Sequence, residues 1–183
     1  MYSTGLLIRL TKVVSVFSLG LMAALVVFGN ITDYNTNYQF VKHVFMMDTT
    51  FPSANIHYRS ICGPLVVNGG YIFIIIMEAI MAFCCLKGSW KLWKHLKSAP
   101  EVFHANKNWS IAGLLMGIVI WFLGFQVVGG EWFSMWQSQI WNGLAAADRI
   151  VTFITLVLIL LHFKEEKVQN DQTKEHQQNE TTF

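Results

Sequence analysis

"YIFIIIMEAIMAF", residues 71–83, decides how this chain is read. It lies inside a longer apolar block, about Leu65–Leu86, and its one charged side chain is Glu78. A bilayer's hydrocarbon core of about 30 Å takes roughly 20 apolar residues in a helix, which this block supplies. A carboxylate inside such a helix is costly unless it faces the protein interior and finds a partner. The stretch therefore predicts a membrane-spanning helix with something beside it that neutralises Glu78.

Three further blocks of the same kind lie on either side: about Val13–Gly29, Ile111–Val128 and Leu144–Phe163. Composition agrees. Charged residues make up 13% and hydrophobic residues 54% of the 183, against about 25% charged in soluble domains. The pattern predicts an all-α fold, a four-helix transmembrane bundle formed by residues 1–163 as a single domain. The polar, mixed-charge tail 164–183, "KEEKVQNDQTKEHQQNETTF", is expected to be disordered because it has little apolar surface to bury. An alternative makes the first apolar run a cleavable signal peptide, leaving three spans.

Lysine and arginine set the expected direction. Arg9, Lys12, Lys87, Lys91, Lys94, Lys97, Lys107, Lys164, Lys167 and Lys174 fall on one side, and only Lys42 and Arg59 on the other. Both termini are thus expected in the cytoplasm, with two outer, periplasmic loops: a long one (30–64) and a short one (129–143).

In the long loop, "NYQFVKHVFMMD" spaces Phe40, Val41, Val44, Phe45 and Asp48 as one face of a short amphipathic helix. Such a helix suits the membrane interface, and Asp33, Thr36 or Asn37 is placed to cap it. The short loop, "GGEWFSMWQSQIWNG", puts Trp132, Phe133, Trp136 and Ile140 on one helical face, with Ser134, Gln137 and Ser138 facing away. Tryptophan favours the headgroup level. The loop reads as a membrane anchor, or as an aromatic platform for a partner subunit, quinone or lipid. Candidate interaction residues are Glu131, Trp132, Phe133, Trp136, Trp141 and Asn142, together with His43 and Asp48.

Counting ~1.5 Å per residue from the outer ends places Glu78 ~12 Å and Arg149 ~9 Å deep. The similar levels predict a buried Glu78–Arg149 pair, with Asp148 as a second partner or a residue reaching outward. Gly113 and Gly117, and likewise Gly20 and Ala24, form small-residue ridges that permit close helix approach, within the chain or against another protein. Cys62 is expected as a buried free thiol. No recognised metal-ligand or phosphate-loop spacing occurs. His43 and Met47 are separated by one helical turn, which leaves an outer metal or redox site near His43, with Asp48 and Glu131, as a minor reading. No cofactor or resident metal is expected, and no basic aromatic stripe points to nucleic acid.

"GNITDYNTNYQFVKHVFMMDTT" after the first span and "GGEWFSMWQSQIWNGLAAADR" before the last resemble a bacterial family of predicted small integral membrane proteins, a domain of unknown function. The resemblance covers about residues 5–163. It implies four helices in the bacterial inner membrane and carries over no catalytic residue. The expected function is a non-catalytic subunit or scaffold that binds a membrane-protein partner or a second copy in the lipid bilayer. The alternative is a small transporter or proton-coupled component using Glu78 and Arg149.

Overall fold

The computed structural model describes residues 4–52 and 55–164. The tail expected to be disordered lies, apart from Lys164, outside them. Six α-helical elements follow one another: α1 (Thr4–Thr32), α2 (Tyr34–Met46), α3 (Pro64–Lys94), α4 (Pro100–Ala105), α5 (Asn108–Gly117) and α6 (Leu144–His162). Four helical rods are long and apolar enough to cross a membrane: α1, α3, the rod Pro100–Trp132 and α6.

Prolines and glycines mark the boundaries. Pro64 and Pro100 stand in the first turns of α3 and α4, where the missing N–H forfeits no helical hydrogen bond. The break between α1 and α2 is a single residue, Asp33. Its side chain makes no capping bond; the expected capping of α2 by side chains is replaced by continuation of the main chain, Asp33 N–H donating to the Gly29 carbonyl at 2.9 Å. α2 ends where Met47 turns left-handed, φ 53°. Such a conformation is uncommon for a non-glycine residue, and it is held by burial of the Met47 side chain.

The third rod changes character part-way. After Gly117 it continues to Trp132 as a π-helix of 15 residues. In this winding an N–H reaches back five residues instead of four, as Phe133, at the end of the segment, does to the Val128 carbonyl at 3.0 Å. π-Helical geometry is normally confined to single turns, often beside functional sites.

α3 is the central rod. It packs along α1 on one side and α5 on the other, while α6 lies chiefly against the π-helical segment. Glycines make the close approaches possible. A Cβ on Gly88 would stand 2.5 Å from the Ser110 backbone nitrogen, and one on Gly113 2.8 Å from that of Cys85. Gly20 brings α1 to the same level of α3, at Cys85 and Leu86. Ala24 packs at the edge of this core. The ridges foreseen at Gly20, Gly113 and Gly117 are thus occupied within the chain, and Gly88 joins them.

The two ends of the bundle differ. One carries Lys87, Lys91 and Lys94 and is called the lysine end. There Arg9, Lys12 and Lys107 are fully buried. Arg9 donates to the carbonyls of Leu96 (3.0 Å) and Ser98 (2.6 Å). Lys12 donates to Phe163 (2.7 Å), and Lys107 to Leu161 (2.7 Å). The last carbonyls of a helix carry partial negative charge and lack helical donors, so two buried ammonium groups fasten the end of α6. The opposite end, the loop end, is closed by α2 and by residues 133–143.

Candidate functional site

Glu78 is buried in α3, 2% exposed. Its partner is Asn30, whose Nδ2 donates to Glu78 Oε2 at 2.7 Å. The Tyr71 hydroxyl, almost two turns nearer the loop end, donates to the Asn30 carbonyl at 3.1 Å. The Tyr34 hydroxyl donates to Asn68 Oδ1 at 2.5 Å, and the rings of Tyr34 and Tyr71 lie 4.8 Å apart. A polar column thus runs between α1, α2 and α3 from the loop end down to Glu78.

The expected Glu78–Arg149 pair is not formed. Arg149 and Asp148 are both exposed on α6, and α6 makes no extended contact with α3. Two physical reasons account for the difference. Matching depth says nothing about direction around the bundle, and α6 stands behind the third rod. The helix ends also are not coplanar. Glu78 lies 14 residues, ~21 Å, into α3, yet level with the end of α1 at Asn30, because the two helices, of nearly equal length, are staggered and α3 runs on toward the loop end beside α2. Asn30 had no sequence signal beyond being an amide at the end of an apolar run.

The loop end is a small folded cap rather than an aromatic helix. Residues 133–143 contain only one short 3₁₀ turn, Met135–Gln137. Phe133 is buried, whereas Trp132, Trp136 and Ile140 are half or more exposed; the one-faced aromatic helix is thereby corrected. Ser134, Gln137 and Ser138, expected to face away, are buried. They are used internally. Gln137 Oε1 accepts from the Phe51 N–H at 2.9 Å, and the Ser138 hydroxyl accepts from Trp141 N–H at 2.9 Å and bonds Thr49 at 2.8 Å. Asn142 Oδ1 accepts from the Leu144 N–H, the first of α6, at 3.1 Å. A turn too short to satisfy its own main chain draws polar side chains inward.

His43 and Asp48 are brought together, Nδ1 to Oδ2 at 2.7 Å. The His43 ring stacks on Trp141 at 4.7 Å. Glu131 stands apart from them, exposed in a groove with Arg59 and Trp132. Among the described residues no group of three His, Cys, Asp or Glu side chains is placed to hold a metal ion. Cys62, expected to be buried, is exposed; Cys84 and Cys85 are buried, and all three are free thiols.

Between α2, α3 and the π-helical segment lies an apolar cavity of about 320 Å³. Its floor is formed by the buried Val41, Val44, Ile120, Gly129, Phe133 and Met135; its rim by the exposed Phe73, Leu123, Gly124 and Val128. No charged or polar side chain lines it. That volume is at the lower end of small-molecule sites, about 300–1,000 Å³. α3 therefore separates two environments: Tyr71 and Glu78 face the polar column, while Gly70, Ile74 and Met77 face the cavity.

A family model described as "predicted small integral membrane protein (DUF2165)" matches residues 8–164. The chain belongs to this family. Four long apolar helices are what an integral membrane protein of that description needs, and membership makes this a small multi-pass protein of unassigned activity. The chain matches no curated protein and no solved structure. For this family member the functional reading therefore rests on the site itself.

Proposed function

We propose that this protein is a non-catalytic membrane subunit that associates within the bilayer through α6, and that its partner is a second copy. In this reading the lysine end faces the cytoplasm of a bacterial cell, which the distribution of lysine and arginine supports. The observation that carries the proposal is the exposure of Asp148 and Arg149 on α6. They lie ~6 and ~7.5 Å from the start of a helix only 19 residues long. Arginine reaches the headgroups from that depth along its aliphatic stem; aspartate is too short to do so and needs a cation beside it. A two-fold axis along the bilayer normal sets equal depths opposite each other, so that Asp148 of each copy faces Arg149 of the other. Phe153, Leu156 and Ile159, also exposed on α6, continue that surface.

The test is the oligomeric state of the full chain in nonionic detergent and in nanodiscs, by light scattering and single-molecule photobleaching. The proposal expects a dimer that Asp148→Arg or Arg149→Asp alone dissociates and the double exchange restores. A monomeric wild type, or a dimer indifferent to these changes, overturns it.

A second reading is favoured by the polar column: a proton-coupled component in which Glu78 acts with Asn30 and Tyr71, without Arg149. In liposomes this reading expects a pH-dependent signal that Glu78→Gln removes and Arg149→Gln leaves intact. Retention of the signal in Glu78→Gln excludes it.

A further inference from the structure

The apolar cavity and the groove beside it share two walls, Val128 and Phe133. The cavity is roofed at the loop end by α2 and opens sideways, at Leu123, Gly124 and Val128, onto the apolar flank of the third rod. In a membrane-spanning bundle that flank meets hydrocarbon chains, and a recess without polar lining offers no partner to water. The groove has the opposite character. Arg59 sits with its guanidinium 5.2 Å from the Trp132 ring and 5.5 Å from the Tyr58 ring. It donates to the Trp132 carbonyl at 3.5 Å. Glu131 is exposed in the same groove and forms no ion pair with it among the described residues.

A hydrophobic recess that continues into one cation and one separate carboxylate matches a molecule with a hydrocarbon chain, a phosphate and an ammonium group. The geometry points to a binding site for a zwitterionic aminophospholipid: one acyl chain in the cavity, the phosphate at Arg59 and the ammonium at Glu131. Guanidinium is suited to the phosphate because its fork of N–H groups bonds two oxygens at once and its plane rests on aromatic rings. Tyr58 and Trp132 provide those rings at the level where a headgroup lies. The reading is independent of association through α6, which lies on another surface.

The experiment uses the full chain in nonionic detergent, with phosphatidylethanolamine and phosphatidylglycerol supplied in equal amounts and bound lipid counted by native mass spectrometry. One phosphatidylethanolamine per chain is expected, favoured about tenfold, as one charge-assisted contact allows. Arg59→Gln lowers retention of both lipids. Glu131→Gln abolishes the preference between them. Gly124→Leu fills the rim, where an added Cβ meets only the Val119 carbonyl oxygen at 3.6 Å, and releases lipid of either kind. Val119→Phe plugs the same opening independently should Gly124→Leu fail to fold. Gly69→Leu, exposed on α3 with nothing within 4 Å of an added Cβ, behaves as wild type. Undiminished lipid in both rim variants, a preference for phosphatidylglycerol, or recovery of an isoprenoid in place of phospholipid overturns the assignment.

Discussion

Adding one methyl group to each of four glycines should separate contacts that can yield from contacts that cannot. Alanine in place of glycine gains about 1 kcal/mol of helix propensity. Gly29 meets nothing within 4 Å, so Gly29→Ala should keep that gain. At Gly117 the new methyl meets the Ile154 Cδ1 at 2.6 Å and the Met81 Cε at 3.0 Å. Both are ends of flexible side chains, and their rearrangement roughly cancels the propensity gain. At Gly88 the new methyl meets the Ser110 nitrogen at 2.5 Å and Cα at 2.8 Å. Comfortable separation is about 3.5–4.0 Å, and neither atom can rotate away, so α5 must withdraw from α3 by roughly 1 Å. Overpacking of this kind costs about 1–3 kcal/mol, outweighing the gain. Gly113 resembles Gly88, since the Cys85 nitrogen lies 2.8 Å from its added Cβ. Unfolding in mixed micelles of mild detergent and dodecyl sulfate, followed by circular dichroism, measures all four. The expected order of stability is Gly29→Ala, then wild type and Gly117→Ala together, then Gly88→Ala and Gly113→Ala. Equal damage at Gly117 and Gly88 would refute the distinction between rotatable and main-chain neighbours.

Two further outcomes come from the polar contacts. Asn30→Leu removes the amide that serves Glu78 and should cost about 1–2 kcal/mol in the same unfolding assay; unchanged stability would show that Glu78 does not depend on that bond. Ser138→Ala removes the acceptor for the Trp141 N–H and the bond to Thr49. Hydrogen exchange should then quicken at Trp141 while the amides of α3 keep their protection, and unchanged exchange at Trp141 would show that the cap is held by its rings alone.

The bundle was legible because a bilayer asks one coarse question of each segment, whether it is long and apolar enough to cross. Four runs answer it without reference to one another. Close helix approach was legible in part for a similar reason: Gly113 and Gly117 are small whatever lies opposite, although only the structure shows that Cys84, Cys85, Met81 and Ile154 lie there. Gly88 carries no such signal because it lies beyond the apolar block, in the extension of α3 toward the lysines. The partner of Glu78 was illegible because it depends on which helix stands beside α3 and where that helix stops. Neither quantity is written in the hydrophobicity of any single segment. The cavity was harder still to foresee, since its lining comes from α2, α3, the π-helical segment and the cap together, and no single apolar pattern encodes how they meet.

The loop end shows why amphipathic patterning fails outside long helices. Reading one helical face through 132–140 assumes that the main chain satisfies its own hydrogen bonds, so that side chains divide simply between water and core. In residues 133–143 that assumption does not hold. Ser134 takes a left-handed conformation, φ 52°, and the following turn is a single 3₁₀ unit, which leaves several N–H groups without helical acceptors. Ser138 supplies an acceptor to the N–H groups of Ile140 and Trp141, while Gln137 serves Phe51 of the long loop and Asn142 serves Leu144 at the start of α6; Ser138 and Gln137 are carried inside by doing so. The tryptophans are then displaced outward, where an interface suits their rings. The same accounting of main-chain donors explains the lysine end. Lys12 and Lys107 bond the carbonyls that close α6. Cations that mark orientation in a sequence can therefore be spent inside the fold, and a count of lysines measures the end of a bundle without measuring how much charge that end presents.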